Sequence, residues 1–181
     1  MNRSETKFNP AVLSEQDMKR HREGDLPEGR RHFLYPGQMF ASREATAIST
    51  ILGSCIAVCL WDSRRKVGGM NHYLLPEGPA DGNNRLRYGN VANEALLNEL
   101  LAMGSEIKDL QAKIFGGTSA YAADPLTALG TRNAEIAEQF LRSAGIPITT
   151  REVSGKYGRK LTFNTSSGVT EVKNFQNTTG Q

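Results

Sequence analysis

The chain has 181 residues, 38% of them hydrophobic, which is enough for one domain with a sizeable core. Its 22 basic and 19 acidic residues leave a net charge of only +3, and no stripe combines aromatic and basic residues, so nucleic acid is not the expected partner. No apolar run approaches the ~20 residues of a membrane span, and two cysteines are too few for a disulfide scaffold.

Residues 1–31 are polar, of mixed charge and little periodicity, and read as a flexible N-terminal arm. The opening MNRSETKFNPAVLSEQDMKR has no continuous apolar stretch of the secretory kind, so a cytoplasmic location is expected. His21 and His32, in or beside this arm, read as solvated. Order is expected to begin near RHFLYPGQMFAS, with a short strand and a turn at Pro36–Gly37. STILGSCIAVCLWD (49–62) and KVGGMNHYLLP (66–76) are apolar and separated by the polar Ser63 to Arg65, which reads as a β-hairpin. After a loop at NNRLRYGN, the segment VANEALLNELLAMG places Ala92, Leu96, Leu100 and Met103 at helical spacing and stops at Gly104. AKIFGG is a short buried strand, and its glycine pair reads as a turn. TRNAEIAEQFLRSAG carries a second helical stripe of Ile136, Ala137, Phe140, Leu141 and Ala144, capped by Gly145 and stopped by Pro147. PITTREV and RKLTFNTSSGVTEVKNF supply further strands, the last two joined at Ser166–Gly168, and residues 174–181 form a tail. The sum is a single mixed α/β domain over residues 32–173, with sheet at both ends and helices between.

The hairpin brings two reactive side chains together. With its turn centred between Ser63 and Arg64, Cys55 lies directly opposite His72, β-carbons ~4.5–5.5 Å apart. A shift of one whole residue leaves the two diagonal on one face; half a residue puts them on opposite faces. A thiol beside an imidazole suits nucleophilic acyl chemistry, because the imidazolium lowers the thiol pKa and later protonates a leaving amine. Backbone N–H groups near Ser54 and Cys55, next to the permissive Gly53, are candidates for an oxyanion site. Ser49 and Thr50 are the nearest hydroxyls able to orient the histidine. The plainer alternatives are a Cys55 that is simply core, as Cys59 is expected to be, and a His72 satisfied within the core. Four residues apart in a strand, the two cysteines sit roughly 13 Å apart, beyond disulfide reach, and are expected to be free.

LGSCIAVCLWD, KVGGMNHYLLP, RYGNVANEALLNELLAMG, AKIFGG, LGTRNAEIAEQFLRSAGI and GKYGRKLTFNTSSG follow one another over roughly residues 33–173, and together they resemble the CheD family of chemoreceptor glutamine deamidases. The resemblance implies a mixed α/β sandwich of β-sheet layers with two main helices. It also implies a cysteine amidohydrolase, a protein-glutamine glutaminase, that converts glutamines of methyl-accepting chemotaxis receptors to glutamate through a thioester during chemotactic adaptation. The family's catalytic Cys and His fall on Cys55 and His72. Its third member, a threonine six positions before the cysteine, falls on Ser49 by ungapped counting, with Thr50 as the neighbouring alternative; Ser49 is the expected one. No metal or organic cofactor is implied, and two cysteines with one well-placed histidine make a poor zinc site. The implied partners are the receptors and, in some bacteria, a response-regulator phosphatase. The rival expectation is a non-catalytic regulatory protein that docks on receptors or phosphatase, its cysteine site vestigial.

Overall fold

In the computed structural model, which describes residues 29–118 and 125–175, the apolar run 46–62 is two strands in two different sheets. Strands β1 (Arg30–Phe33), β3 (Thr46–Leu52), β8 (Arg159–Asn164) and β9 (Thr170–Asn174) form a four-stranded sheet in the order β1-β3-β8-β9. Strands β2 (Gln38–Ser42), β5 (Val67–His72), β4 (Ile56–Asp62), β6 (Leu110–Gly116) and β7 (Ile148–Val153) form a five-stranded sheet in that order. Helices α1 (Gly89–Ala102) and α2 (Pro125–Ala144) complete the architecture, a mixed α/β fold as expected.

Alternation along the strands assigns the layers. Ala57 and Cys59 of β4, Met70 of β5 and Phe115 of β6 meet Ile48, Leu52, Leu161 and Phe163 between the two sheets. On the opposite face, Ile56, Val58, Leu60 and Tyr73 pack against Leu96, Leu100, Ala137 and Leu141 of the helices. The five-stranded sheet is therefore the middle layer, covered on both faces, which is why β4 reads as a continuous apolar run. Full burial of each of the larger side chains, such as Leu60, Met70 or Phe115, stabilises the fold by about 1.5–3 kcal/mol relative to exposure.

Several boundaries differ from the sequence expectation. The 49–62 strand breaks at Gly53–Cys55, where the chain steps between sheets packed about 10 Å apart. The hairpin turn is centred one residue later than expected, since Asp62 pairs with Val67. Helix α1 starts at Gly89, and α2 starts at Pro125, a residue favoured in a first helical turn. The expected loop before α1 contains a 3-10 turn at Arg85–Arg87. Strand β1 begins at Arg30, inside the expected arm, and His32 is half-buried, its ring stacked on Phe40 at a centroid distance of 3.9 Å. The remainder of the arm, with His21, and residues 176–181 of the tail lie outside the described residues.

Candidate active site

The first contact of the site crosses the gap between sheets. Side chains alternate along β3, so Thr50 points with Ile48 and Leu52 toward the middle sheet, while Ser49 points away. Thr50 Oγ1 lies 2.7 Å from Nδ1 of His72 on β5 and 2.7 Å from the Leu34 carbonyl oxygen. A carbonyl only accepts, so the threonine hydroxyl donates to Leu34 and His72 donates its Nδ1–H to the threonine. This network assigns the tautomer and leaves the lone pair of His72 on Nε2. That nitrogen is buried and has no hydrogen-bond partner among the described residues, in a residue only 1% exposed. Ser49, the hydroxyl expected to orient the histidine, has a buried Oγ with no hydrogen-bond partner among the described residues.

The hairpin supplies the second contact. Ile56 and Tyr73 exchange both backbone hydrogen bonds, at 3.1 and 3.0 Å, which sets Cys55 across from Leu74 and His72 across from Ala57. Cys55 and His72 are thus diagonal neighbours on the face that meets the other sheet. Between this bridge and the pair Cys59–Met70 the ladder opens. The Asn71 side chain fills the opening: Val58 N–H donates to its Oδ1 at 2.9 Å, and its Nδ2 donates to Asn93 Oδ1 at 2.8 Å. The His72 carbonyl is taken by Gly37 N–H at 2.7 Å, so His72 is fixed through both backbone and ring.

The loop that carries Cys55 is held by its carbonyls. Gly53 O accepts from Thr118 N–H at 2.8 Å, Ser54 O from Asn133 Nδ2 at 3.1 Å, and Cys55 O from Gly117 N–H at 2.8 Å. In a trans peptide the N–H points opposite to the C=O. The N–H groups of Ser54 and Cys55 therefore face away from these anchors, and neither has a hydrogen-bond acceptor in another described residue. The glycine pair expected to be a plain turn instead permits this close approach. Gly116 and Gly117 have φ of +112° and +62°, and a β-carbon on Gly116 would stand 2.1 Å from the Cys55 carbonyl oxygen.

Burial dominates the electrostatics. It pushes the Cys55 thiol up to about 11, opposed in part by the residue's own N–H directed at the sulfur. It lowers His72 to about 3. The resting pair is a neutral thiol and a neutral imidazole, so the expected thiol-lowering imidazolium is absent from this state. Cys59, fully buried in the inter-sheet core, is pushed up further still. Both cysteines are free thiols. Ser54 and Cys55 are the half-buried residues of a stretch whose neighbours Gly53 and Ile56 are buried, so solvent reaches the site at this point. Among the described residues, no group of three or more His, Cys, Asp or Glu side chains is placed to share a metal ion, and no helix is long and apolar enough to cross a membrane.

Three supporting residues were not singled out from the sequence. Asn71 carries a faint signal, because asparagine is depleted in buried strands. Asn133 is a polar residue on an otherwise small and apolar helix face with Gly130, Ala134 and Ala137. Leu34 contributes only a carbonyl, which no side-chain pattern announces.

The chain matches the family model for CheD chemotactic sensory transduction over residues 74–174, a range that begins two residues after His72. A Trichlorobacter lovleyi protein described as a probable chemoreceptor glutamine deamidase CheD is 40% identical over 141 residues, covering 77% of this chain and 88% of that protein. Proteins of the same description from Stenotrophomonas maltophilia and Rhodospirillum rubrum are 42% and 41% identical over 140 and 145 residues. They cover 77% and 80% of this chain and 71% and 82% of their own lengths. A solved Neisseria meningitidis protein of the DUF152 family superposes with a TM-score of 0.43 at 12% identity, over 71% of this chain and 65% of its own.

Proposed function

The chain belongs to the CheD family, and we propose that it deamidates glutamine side chains of chemoreceptors with Cys55 as nucleophile, His72 as proton carrier and Thr50 as the group that orients His72. The observation that carries this reading is the Leu34–Thr50–His72 relay. It spends the Nδ1 proton on a threonine and leaves an unpartnered Nε2 lone pair on the face shared with Cys55. Because thiol and imidazole are both neutral at rest, the proton moves as the bond forms rather than beforehand. The thiol proton passes to Nε2 while sulfur attacks the carboxamide carbon, and the carbonyl oxygen becomes an oxyanion facing the Ser54 and Cys55 N–H groups. His72 then returns that proton to the departing nitrogen, ammonia leaves, and a thioester remains. Water attacks the thioester, gives a proton to Nε2 and releases the glutamate side chain, and His72 restores the thiol.

Incubation with a purified receptor cytoplasmic domain, followed by peptide mass spectrometry, tests the reading. Glutamine-to-glutamate conversion is expected with the native chain and not with Cys55→Ala. Conversion that survives Cys55→Ala, or none with the native chain, refutes the proposal and favours a docking protein.

A further inference from the structure

The carboxamide of Asn133 stands 79 residues along the chain from Ser54, yet it reaches the peptide immediately before the reactive cysteine. Its Nδ2 donates to Ser54 O at 3.1 Å and to Leu74 O at 2.9 Å, so one amide group grips both the cysteine loop and the residue opposite Cys55 across the hairpin. Asn133 is fully buried, and its own carbonyl accepts the Tyr73 hydroxyl, which pins this turn of α2 to the middle sheet. The approach depends on Gly130, one turn earlier: a β-carbon there would meet the Gly117 carbonyl oxygen at 2.7 Å. Asn133 Oδ1, the other half of the amide, is buried and has no partner among the described residues. Both amide protons are thus used on the two backbone carbonyls, and nothing else in the described structure depends on the carboxamide.

We infer that Asn133 is a positioning residue for the oxyanion site: by holding the Ser54 carbonyl it rotates the Ser54–Cys55 peptide so that the Cys55 N–H faces the carbonyl oxygen that becomes the oxyanion. The inference rests on the deamidase reading above. The planar peptide makes the two orientations inseparable, since the N–H must oppose the carbonyl that Asn133 holds. No other described residue accepts a hydrogen bond from the Cys55 N–H, which leaves it available to a bound carboxamide. Without the Nδ2 donor, Ser54 O has no partner from α2, and the peptide is free to turn toward solvent through its half-buried edge.

The chemistry offers a readout that a purely architectural role would not move. Alkylation of Cys55 by iodoacetamide needs the thiolate but builds no oxyanion, whereas deamidation needs both. Cys59 adds an internal control, since it is 1% exposed and is alkylated only when the fold opens. Asn133→Ala and the near-isosteric Asn133→Asp are compared with the native chain on the receptor domain. The expected result in both is a kcat for deamidation lower by about 10- to 100-fold, short of the roughly 10²–10³-fold cost of deleting an oxyanion donor outright. KM and the Cys55 alkylation rate should stay within about twofold, with Cys59 still protected. Native kcat in either folded variant overturns the inference, as does a parallel fall in deamidation and alkylation. Labelling of Cys59 in both variants also overturns it, showing that Asn133 is needed for the fold itself. A native chain that fails to deamidate, or a Cys55→Ala chain that succeeds, refutes the deamidase reading instead.

Discussion

Thr50 of one sheet and His72 of the other are joined by a single hydrogen bond of 2.7 Å, whereas the adjacent Ser49 Oγ has no hydrogen-bond partner among the described residues. This asymmetry fixes an expectation. Thr50→Val keeps the shape and deletes the acceptor of the Nδ1 proton, so kcat should fall by about 10- to 100-fold, short of the roughly 10²–10⁴-fold lost when the general acid–base group itself is removed. Thr50→Ser should recover most of it. Ser49→Ala removes a buried hydroxyl without a partner and should leave kcat within about twofold, with stability unchanged or up to about 1 kcal/mol higher. Steady-state kinetics on the receptor domain checks the ranking, and a larger loss at Ser49 would reverse the assignment.

The same pair of residues shows what the sequence could reveal. Helical stripes such as Ile136 to Leu141 have one apolar face, so their phase can be read, and the Gly145–Pro147 stop is local chemistry. Cys55 and His72 were legible because a hairpin is a local structure whose register shift of one residue left them on one face. Strand β3 has no readable phase, because Ala47 and Ile51 on one side are as apolar as Ile48 and Leu52 on the other. Nothing in that run announces which of two adjacent hydroxyls turns toward His72. The Leu34 carbonyl and the Asn133 carboxamide are contacts between distant segments, set by how the sheets and α2 stack, and no local pattern encodes them.

The neutral resting pair predicts the reactivity of the thiol. With Cys55 raised to about 11 by burial, the thiolate fraction at neutral pH is small and grows with each added pH unit. Alkylation of Cys55 by iodoacetamide should therefore accelerate roughly tenfold per pH unit between about 7 and 10. A rate that is flat through neutrality would mean a preformed thiolate–imidazolium pair and would contradict the neutral assignment.

His72 should also mark the acid stability of the fold. Its folded value, lowered by burial to about 3, lies below the unperturbed 6.5, so the unfolded chain binds the proton that the folded chain refuses. The stabilisation is complete above 6.5 and drains away as the pH falls toward 3, by about 1.4 kcal/mol per pH unit inside that window. His32, lowered for the same reason, acts in the same direction. Subtraction isolates His72: urea midpoints should fall less steeply between pH 6.5 and 5 for His72→Gln than for the native chain. Parallel curves would show that the folded chain protonates His72 freely.

Gly116 and Gly104 separate the two ways in which a glycine matters. Both have positive φ, +112° and +95°, but nothing lies within 4 Å of a β-carbon placed on Gly104, whereas one on Gly116 strikes the Cys55 carbonyl oxygen. Gly104→Ala should incur only the backbone strain, about 1–2 kcal/mol, with activity intact. Gly116→Ala adds an overpacking term of about 1–3 kcal/mol, for a total of roughly 2–5 kcal/mol. It should also depress kcat, because the chain can relieve the clash only by displacing the carbonyl that Gly117 holds and, with it, the cysteine. Urea unfolding and receptor deamidation measured on both variants check this. Equal stability losses with native activity in both would mean that the end of β6 does not set the position of Cys55.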